Sequence, residues 1–195
     1  MKKTALLLFL AVCLIQWLVP AKMIWDQERL YKTGTTFKLK TIPVDPNDPF
    51  RGKYITLNYD INRYTTNTVA DLDLKSDNQK VYVAIENDEE GFAQIVGLSK
   101  IPPNSPYYLT AQVRSHYKQE DQINIQLTYP FQKFFMEETK APKAEELYRD
   151  ALRHNDQQVY ALVNVENGDA VLIDVQVDGV SIKELVEAYE KEEIE

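Results

Sequence analysis

Residues that carry common catalytic chemistry are scarce in this chain of 195 residues. It has one cysteine, Cys13, two histidines and six glycines. Because Cys13 lies in the N-terminal apolar run, the folded body has no disulfide and no thiolate metal site. The sequence also lacks the G-x-S-x-G, H-E-x-x-H and glycine-rich phosphate-binding motifs. We therefore expect no metal and no cofactor.

Positive charge is also in deficit. The chain has 22 Lys and Arg residues against 30 Asp and Glu residues, a net charge of −8. Nucleic-acid binding needs a basic face, and so does adsorption to an anionic lipid surface, so the composition argues against both. The hydrophobic fraction of 44%, with 12 Tyr and 7 Phe, instead indicates a globular core.

The N-terminal segment contains the longest apolar run. Lys2 and Lys3 precede a run from Ala5 to Val19 that is interrupted only by Gln16. The segment Thr4–Ala21, with about 18 residues, reaches the lower length limit for a membrane span. Positive residues before a span favour a cytoplasmic N-terminus. We expect residues 1–33 to form an uncleaved single-pass anchor in the inner (cytoplasmic) membrane, with residues 34–195 forming an extracytoplasmic domain.

Two alternatives stay open for this segment. Val19, Pro20 and Ala21 resemble a signal-peptide cleavage site, and cleavage there would release a secreted binding protein. Cys13 could instead carry a lipid, although Val12 is not the small residue that usually precedes a lipidated cysteine.

Alternating apolar residues predict that strands dominate the body. The pattern over KYITLNYDI places Ile55, Leu57, Tyr59 and Ile61 on one face, and TTFKLKTI alternates in the same way. Three hairpins are expected around the polar turns NDEEG, KQED and ENGD, and two short helices at KAPKAEELYRDALRH and VSIKELVEAYEKEEIE. The sequence therefore predicts a β-rich α+β fold of antiparallel sheets, either a sandwich or one curled sheet, behind an N-terminal transmembrane helix.

Two stretches of the body recur in the same order. The pattern at residues 55–64 returns 70 positions later, and VYVAIENDEEGFAQIV resembles VYALVNVENGDAVLID, which lies 78 positions later. An internal duplication with halves 35–106 and 107–180 explains this recurrence. Unrelated amphipathic strands explain it as well, because a period of two produces many such matches.

A proline-rich loop leads into the strand that begins near Tyr54. Proline fixes its own φ and restricts the preceding residue, so we expect Val44–Phe50 to be extended and stiff. Arg51 carries a planar guanidinium that can bridge carboxylates, and Gly52 permits a close approach. The loop either sets the register of the strand or presents Arg51 and Tyr54 to a ligand or partner.

The stretch PVDPNDPFRGKYITLNY resembles the GDYXXLXY family of membrane-anchored bacterial proteins, whose name spells its motif. Its motif residues are matched by Gly52, Tyr54, Leu57 and Tyr59. Lys53 stands where the family has Asp, which reverses a charge. The stretch FFMEE is similar to a second family pattern, with Glu138 as the matching acid. The resemblance implies a membrane-tethered domain, of a kind often considered alongside multi-pass membrane proteins of unknown function, and it implies no established activity.

These observations favour a non-enzymatic accessory or interaction domain whose partner is a membrane protein, and no motif identifies a small-molecule ligand. The candidate binding residues are Arg51, Gly52, Tyr54, Leu57, Tyr59 and Glu138. Among them, Arg51 and Tyr54 would make contacts, while the glycine and the other motif residues would shape the strand. The alternative is a carboxylate-dependent enzyme in which Glu138 is the acid or base and Arg51 holds an anion. That alternative requires both side chains to converge with Tyr54 in one pocket.

Overall fold

The computed structural model describes residues 2–43, 54–67, 78–120, 122–153 and 157–192. The helices are α1 (Lys2–Thr33), α2 (Ala141–Arg153) and α3 (Ile182–Glu192). The strands are β1 (Thr35–Lys40), β2 (Tyr54–Thr56), β3 (Arg63–Thr66), β4 (Gln79–Asn87), β5 (Ala93–Ser99), β6 (Tyr108–Gln119), β7 (Gln122–Thr128), β8 (Lys133–Phe135), β9 (Val159–Glu166), β10 (Asp169–Val177) and β11 (Val180–Ser181).

The described strands form antiparallel sheets, as the alternating pattern predicted. One sheet has the order β1-β9-β10-β11, a second has the order β3-β7-β6-β4-β5, and β2 pairs with β8 as a short ribbon. The three predicted hairpins are confirmed as β4–β5, β6–β7 and β9–β10. The inward residues of the sheets pack with α2 and α3 around one hydrophobic core. The β-rich α+β prediction is therefore confirmed.

Helix α1 is apolar and projects from this body. The segment Lys3–Thr33 has a mean hydropathy of 2.2 and none of its apolar window is buried, so by length and composition it could cross a membrane. A signal sequence has the same properties. The helix ends at Thr33, directly before Gly34, where the sequence predicted its C-terminus.

The end of α1 is fixed to the outer face of β9. The side-chain nitrogen of Asn164 donates to the backbone carbonyl of Tyr31 at 2.8 Å, and the side-chain oxygen of Asn164 accepts from Thr36 Oγ1 at 2.7 Å. Leu30 is buried beneath this contact, and Arg29 forms an ion pair with Glu166 on the same strand at 3.2 Å. Because the last turn of α1 is capped by the sheet, the apolar helix and the domain form one continuous structure.

The motif stretch from Tyr54 to Ile61 keeps its predicted buried face but is not one strand. β2 ends at Thr56, and a 3₁₀ turn at Asp60–Asn62 precedes β3. The Asn62 side chain accepts a hydrogen bond from the Tyr59 amide at 3.0 Å, which stabilises this turn. The prediction of a continuous strand was wrong because a side chain competes locally with the strand ladder.

Strand pairing repeats with the same offsets that the sequence shows. Leu39 of β1 pairs with Ala161 of β9. Leu109 lies 70 positions after Leu39, Val83 lies 78 positions before Ala161, and these two residues also pair. The hairpins β4–β5 and β9–β10 carry a one-residue bulge at matching places. An approximate two-fold axis therefore relates β1–β5 to β6–β10. The first strand of each set pairs with the hairpin of the other set, β1 with β9 and β6 with β4. The duplication of 35–106 and 107–180 itself stays a prediction.

The same axis relates two buried hydrogen bonds. The Tyr59 hydroxyl donates to the Phe131 carbonyl at 2.6 Å, and the Tyr129 hydroxyl donates to the Ile61 carbonyl at 3.0 Å. Tyr129 and Phe131 lie 70 positions after Tyr59 and Ile61, so each bond is the counterpart of the other. These two bonds join the stretch after β2 to the stretch after β7 at the centre of the core.

Candidate functional site

The family-like motif begins on the short ribbon of β2 and β8. Tyr54 pairs directly with Phe135, and their ring centroids lie 5.6 Å apart. The Lys133 Nζ atom lies 4.5 Å from the centroid of the Tyr54 ring, within cation–π range. Tyr54 is partly buried, whereas Phe135 has 65% of its surface exposed. The ribbon thus presents an aromatic pair and a positive charge to the outside, which we call the ribbon surface.

Leu57 and Tyr59 point the other way, into the core. Both side chains are fully buried. Burial raises the pKa of the Tyr59 hydroxyl well above its ordinary value, and the neighbouring Tyr148 raises it further. A buried hydroxyl that already donates to a backbone carbonyl has no capacity to meet a partner, so these two motif residues shape the fold.

Glu138 lies on the exposed turn between β8 and α2, three residues after Phe135. Arg51, Gly52, Lys53 and the loop Val44–Phe50 lie outside the described residues. The structure therefore brings Tyr54 close to the second family pattern through its pairing with Phe135. The convergence of Glu138 with Arg51, which the enzyme alternative needs, stays a prediction.

Sequence reasoning missed Phe135 and Lys133 as members of this surface. The stretch KFF is a strand of only three residues, and Phe134 is buried while Phe135 is exposed. Alternation over three residues is too short to predict a strand. The order of two adjacent phenylalanines was nevertheless a signal, because residues on a strand alternate between core and solvent.

Metal binding finds no support in the part of the chain that the structure describes. No group of three or more His, Cys, Asp or Glu side chains there could hold a metal ion. His116, on β6, is exposed. The arrangement around Tyr54 is suited to contact through aromatic surface and charge.

Comparison with known protein families identifies one family that covers most of the chain. A family model described as GDYXXLXY protein matches residues 16–175. No curated protein and no solved structure is significantly similar to this chain. The matched residues run from the middle of α1 to β10, so they include the capped junction, the motif and the ribbon surface. The chain therefore belongs to the GDYXXLXY family.

Proposed function

We propose that this protein is a membrane-anchored, non-enzymatic interaction domain on the extracytoplasmic side of the inner membrane, and that it binds a multi-pass membrane protein through the ribbon surface. Family membership and the apolar helix are compatible with a membrane-anchored domain. The partner, the sidedness and the absence of catalysis belong to the proposal.

The junction between α1 and β9 supports an anchor that is retained. An α-helix rises about 1.5 Å per residue, so the apolar part of α1 suffices for a bilayer core of about 30 Å. Beyond Ala21 the helix continues without interruption to Thr33, where Asn164 caps it. A helix built into the domain in this way fixes the direction in which the domain leaves the membrane.

Charge at the two ends of the span supports the proposed sidedness. Lys2 and Lys3 precede the apolar run, and cytoplasmic flanks of spans are enriched in such residues. On the other side, the helix continues through the mixed-charge stretch DQERLYK into an acidic body. An acidic domain is repelled by anionic lipid headgroups, which favours a domain held above the surface by its helix.

The single observation that carries the interaction role is the exposure of Phe135 beside Tyr54. Aromatic residues are enriched in protein interfaces because they bury large area at low entropic cost. Tyr54 is a family motif residue, and β2–β8 pairing holds its ring against Phe135. This combination points to a partner that covers the ribbon.

Site-specific photo-crosslinking in intact cells tests this role. A photoreactive residue in place of Phe135 should yield one discrete adduct with a membrane protein, and the Tyr54→Ala change should abolish it. Ile101 is the matched control, because its side chain is 74% exposed and lies on the loop between β5 and β6. Equal adducts from positions 101 and 135, or none from 135, would contradict the proposed surface.

A further inference from the structure

A polar cleft of about 420 Å³ opens on the outer face of the β3-β7-β6 part of the second sheet. Its walls come from β3, β6 and β7 and from the turns that precede β3, β4 and β8. It shares no residue with the ribbon surface. The lining side chains are mainly carboxamides and two arginines, Arg63 and Arg114, and one apolar residue, Leu127.

The two arginines flank one glutamine across three neighbouring strands. Arg63 of β3 pairs directly with Gln126 of β7, and Ser115 of β6 pairs with Gln126 from the other side. Arg114 is the extra residue of a bulge at this point of β6. A bulge changes the direction of a side chain and commonly lies beside functional sites. Neighbouring strands lie about 4.8 Å apart, so both guanidinium groups can reach one ligand above Gln126.

The charge of the cleft is opposite to that of the protein. The chain carries a net charge of −8, yet no acidic residue lines the cleft within the described residues. In that same part of the chain neither Arg63 nor Arg114 forms an ion pair. Two nearby guanidinium groups without a counterion repel each other, and a planar oxyanion would relieve this repulsion through paired N–H donors.

The carboxamides surround this positive centre on both sides of the approximate two-fold axis. Asn58 and Asn62 line the cleft from one set of strands, and their counterparts 70 positions later, Thr128 and Gln132, line it from the other. A carboxamide offers both donors and an acceptor, which matches the hydroxyl groups of a sugar ring. The oxygens of Asn62 and Gln126 already accept from the Tyr59 amide and the Ser115 hydroxyl, so these two side chains offer their N–H donors. The cleft therefore combines recognition of an anion with recognition of hydroxyl groups.

We propose that this cleft binds an anionic carbohydrate, that is, a sugar that bears a carboxylate or a phosphate group. Arg63 and Arg114 hold the anionic group. Gln126 and the carboxamides around it, with the Thr128 hydroxyl, hold the neighbouring hydroxyl groups. A ligand of this class would give the domain a second recognition site, independent of a protein partner at the ribbon.

Calorimetric titration of the full chain in a nonionic, sugar-free detergent tests the site. The probes are glucuronate, glucose 6-phosphate, inorganic phosphate and glucose. We expect saturable binding of both anionic sugars, at least tenfold weaker binding of inorganic phosphate and no detectable binding of glucose. If phosphate binds as tightly as glucose 6-phosphate, the carboxamides do not recognise the sugar and the proposal is wrong. Absence of saturable binding by either anionic sugar also overturns it.

Variants separate the site from general electrostatics. The double change Arg63→Gln and Arg114→Gln should weaken glucuronate binding at least tenfold, while Arg153→Gln, which removes an exposed charge from the end of α2, should leave it unchanged. Arg63→Lys with Arg114→Lys keeps both charges and loses the planar donors, so it should also weaken binding. Unchanged thermal unfolding shows that the variants are folded. Equal affinity of the double glutamine variant and the wild type would refute the site.

Discussion

Three tyrosines, Tyr59, Tyr129 and Tyr148, lie in the core but differ in what their hydroxyl groups meet. The first two donate to backbone carbonyls. The Tyr148 hydroxyl is buried beside Thr41, whose own hydroxyl donates to the Val159 carbonyl at 2.9 Å, and within the described residues its contact with Thr41 falls short of hydrogen-bond geometry. Deleting a bonded hydroxyl leaves a buried carbonyl unsatisfied, whereas deleting an unbonded hydroxyl removes a desolvation cost.

Phenylalanine substitutions test this difference directly. We expect Tyr59→Phe and Tyr129→Phe each to lower the free energy of unfolding by about 1–2 kcal/mol. Tyr148→Phe should be neutral or stabilising, because its ring packing is retained. Urea unfolding of the full chain in detergent measures all three. A larger loss for Tyr148→Phe than for Tyr59→Phe would contradict the assigned hydrogen bonds.

Alkaline pH provides a second test of the same residues. Burial raises the pKa of Tyr148 to about 12 and raises the pKa values of Tyr59 and Tyr129 as well. In the unfolded chain a tyrosine loses its proton near pH 10, roughly its ordinary pKa. Above that pH the folded state therefore binds more protons than the unfolded state, so stability is full below about pH 10 and falls as pH rises.

The expected slope is about 1.4 kcal/mol per pH unit for each buried tyrosine. Tyr148→Phe should therefore make the slope between pH 10 and pH 12 less steep, whereas Lys140 and Lys143, whose pKa values are also raised, contribute to the slope in both proteins. Urea unfolding at several alkaline pH values measures this change. A slope that is the same in the variant and the wild type would show that Tyr148 titrates alike in the folded and unfolded chains.

For single residues, alternation in the sequence was sufficient to predict which side chains face the core, but it did not predict their hydrogen-bond partners. Ile55, Leu57, Tyr59 and Ile61 were predicted to share a face, and all four are buried. The hydroxyl partner of Tyr59 could not be predicted. It depends on a contact with Phe131, 72 positions away, and sequence periodicity carries no information on such pairings.

Among the elements, the junction of α1 with β9 depends on one small residue. A Cβ atom added at Gly34 would lie 2.7 Å from the Leu30 carbonyl oxygen and 2.9 Å from the Asn164 Cβ atom. Both distances are too short for real contacts. The absence of a side chain at Gly34 therefore permits the chain to leave the helix and enter β1 directly beneath Asn164.

Alanine at this position should separate the helix from the sheet. We expect Gly34→Ala to lower the free energy of unfolding by roughly 2 kcal/mol, the scale of an overpacked site. Gly97→Ala is the control, because an added Cβ atom there meets nothing within 4 Å. Thermal unfolding and the rate of tryptic cleavage at Lys32 report the two effects. Equal behaviour of the two variants would mean that the junction tolerates a side chain.

Whether an element could be predicted depends on whether the strand it pairs with is near or far in the sequence. The three hairpins were predicted because each joins strands that are adjacent in sequence through a polar turn. The pairing of β1 with β9 was not predicted, and neither was the three-residue strand β8. Both depend on the closure of long loops, which composition and periodicity do not encode. The sequence therefore identified Tyr54 as a contact residue of the ribbon surface but did not identify Phe135.

For the molecule as a whole, the junction of α1 with β9 determines how the surfaces are placed relative to the apolar helix. Asn164 fixes the apolar helix to one sheet, and the polar cleft lies on the other sheet. In the membrane-anchored arrangement that we propose, this junction would hold the body at one orientation, with the ribbon surface and the cleft as separate sites. A freely hinged tether would not constrain either site in this way.

The central claim is that helix α1 stays attached to the domain and holds it in the membrane. Intact-mass analysis of the protein in carbonate-washed membranes and in the soluble fraction tests this claim most directly. We predict an unmodified full-length chain of 22.6 kDa in the membrane fraction. A soluble chain that begins at Lys22, or a chain that begins with a lipid-modified Cys13, would contradict the account.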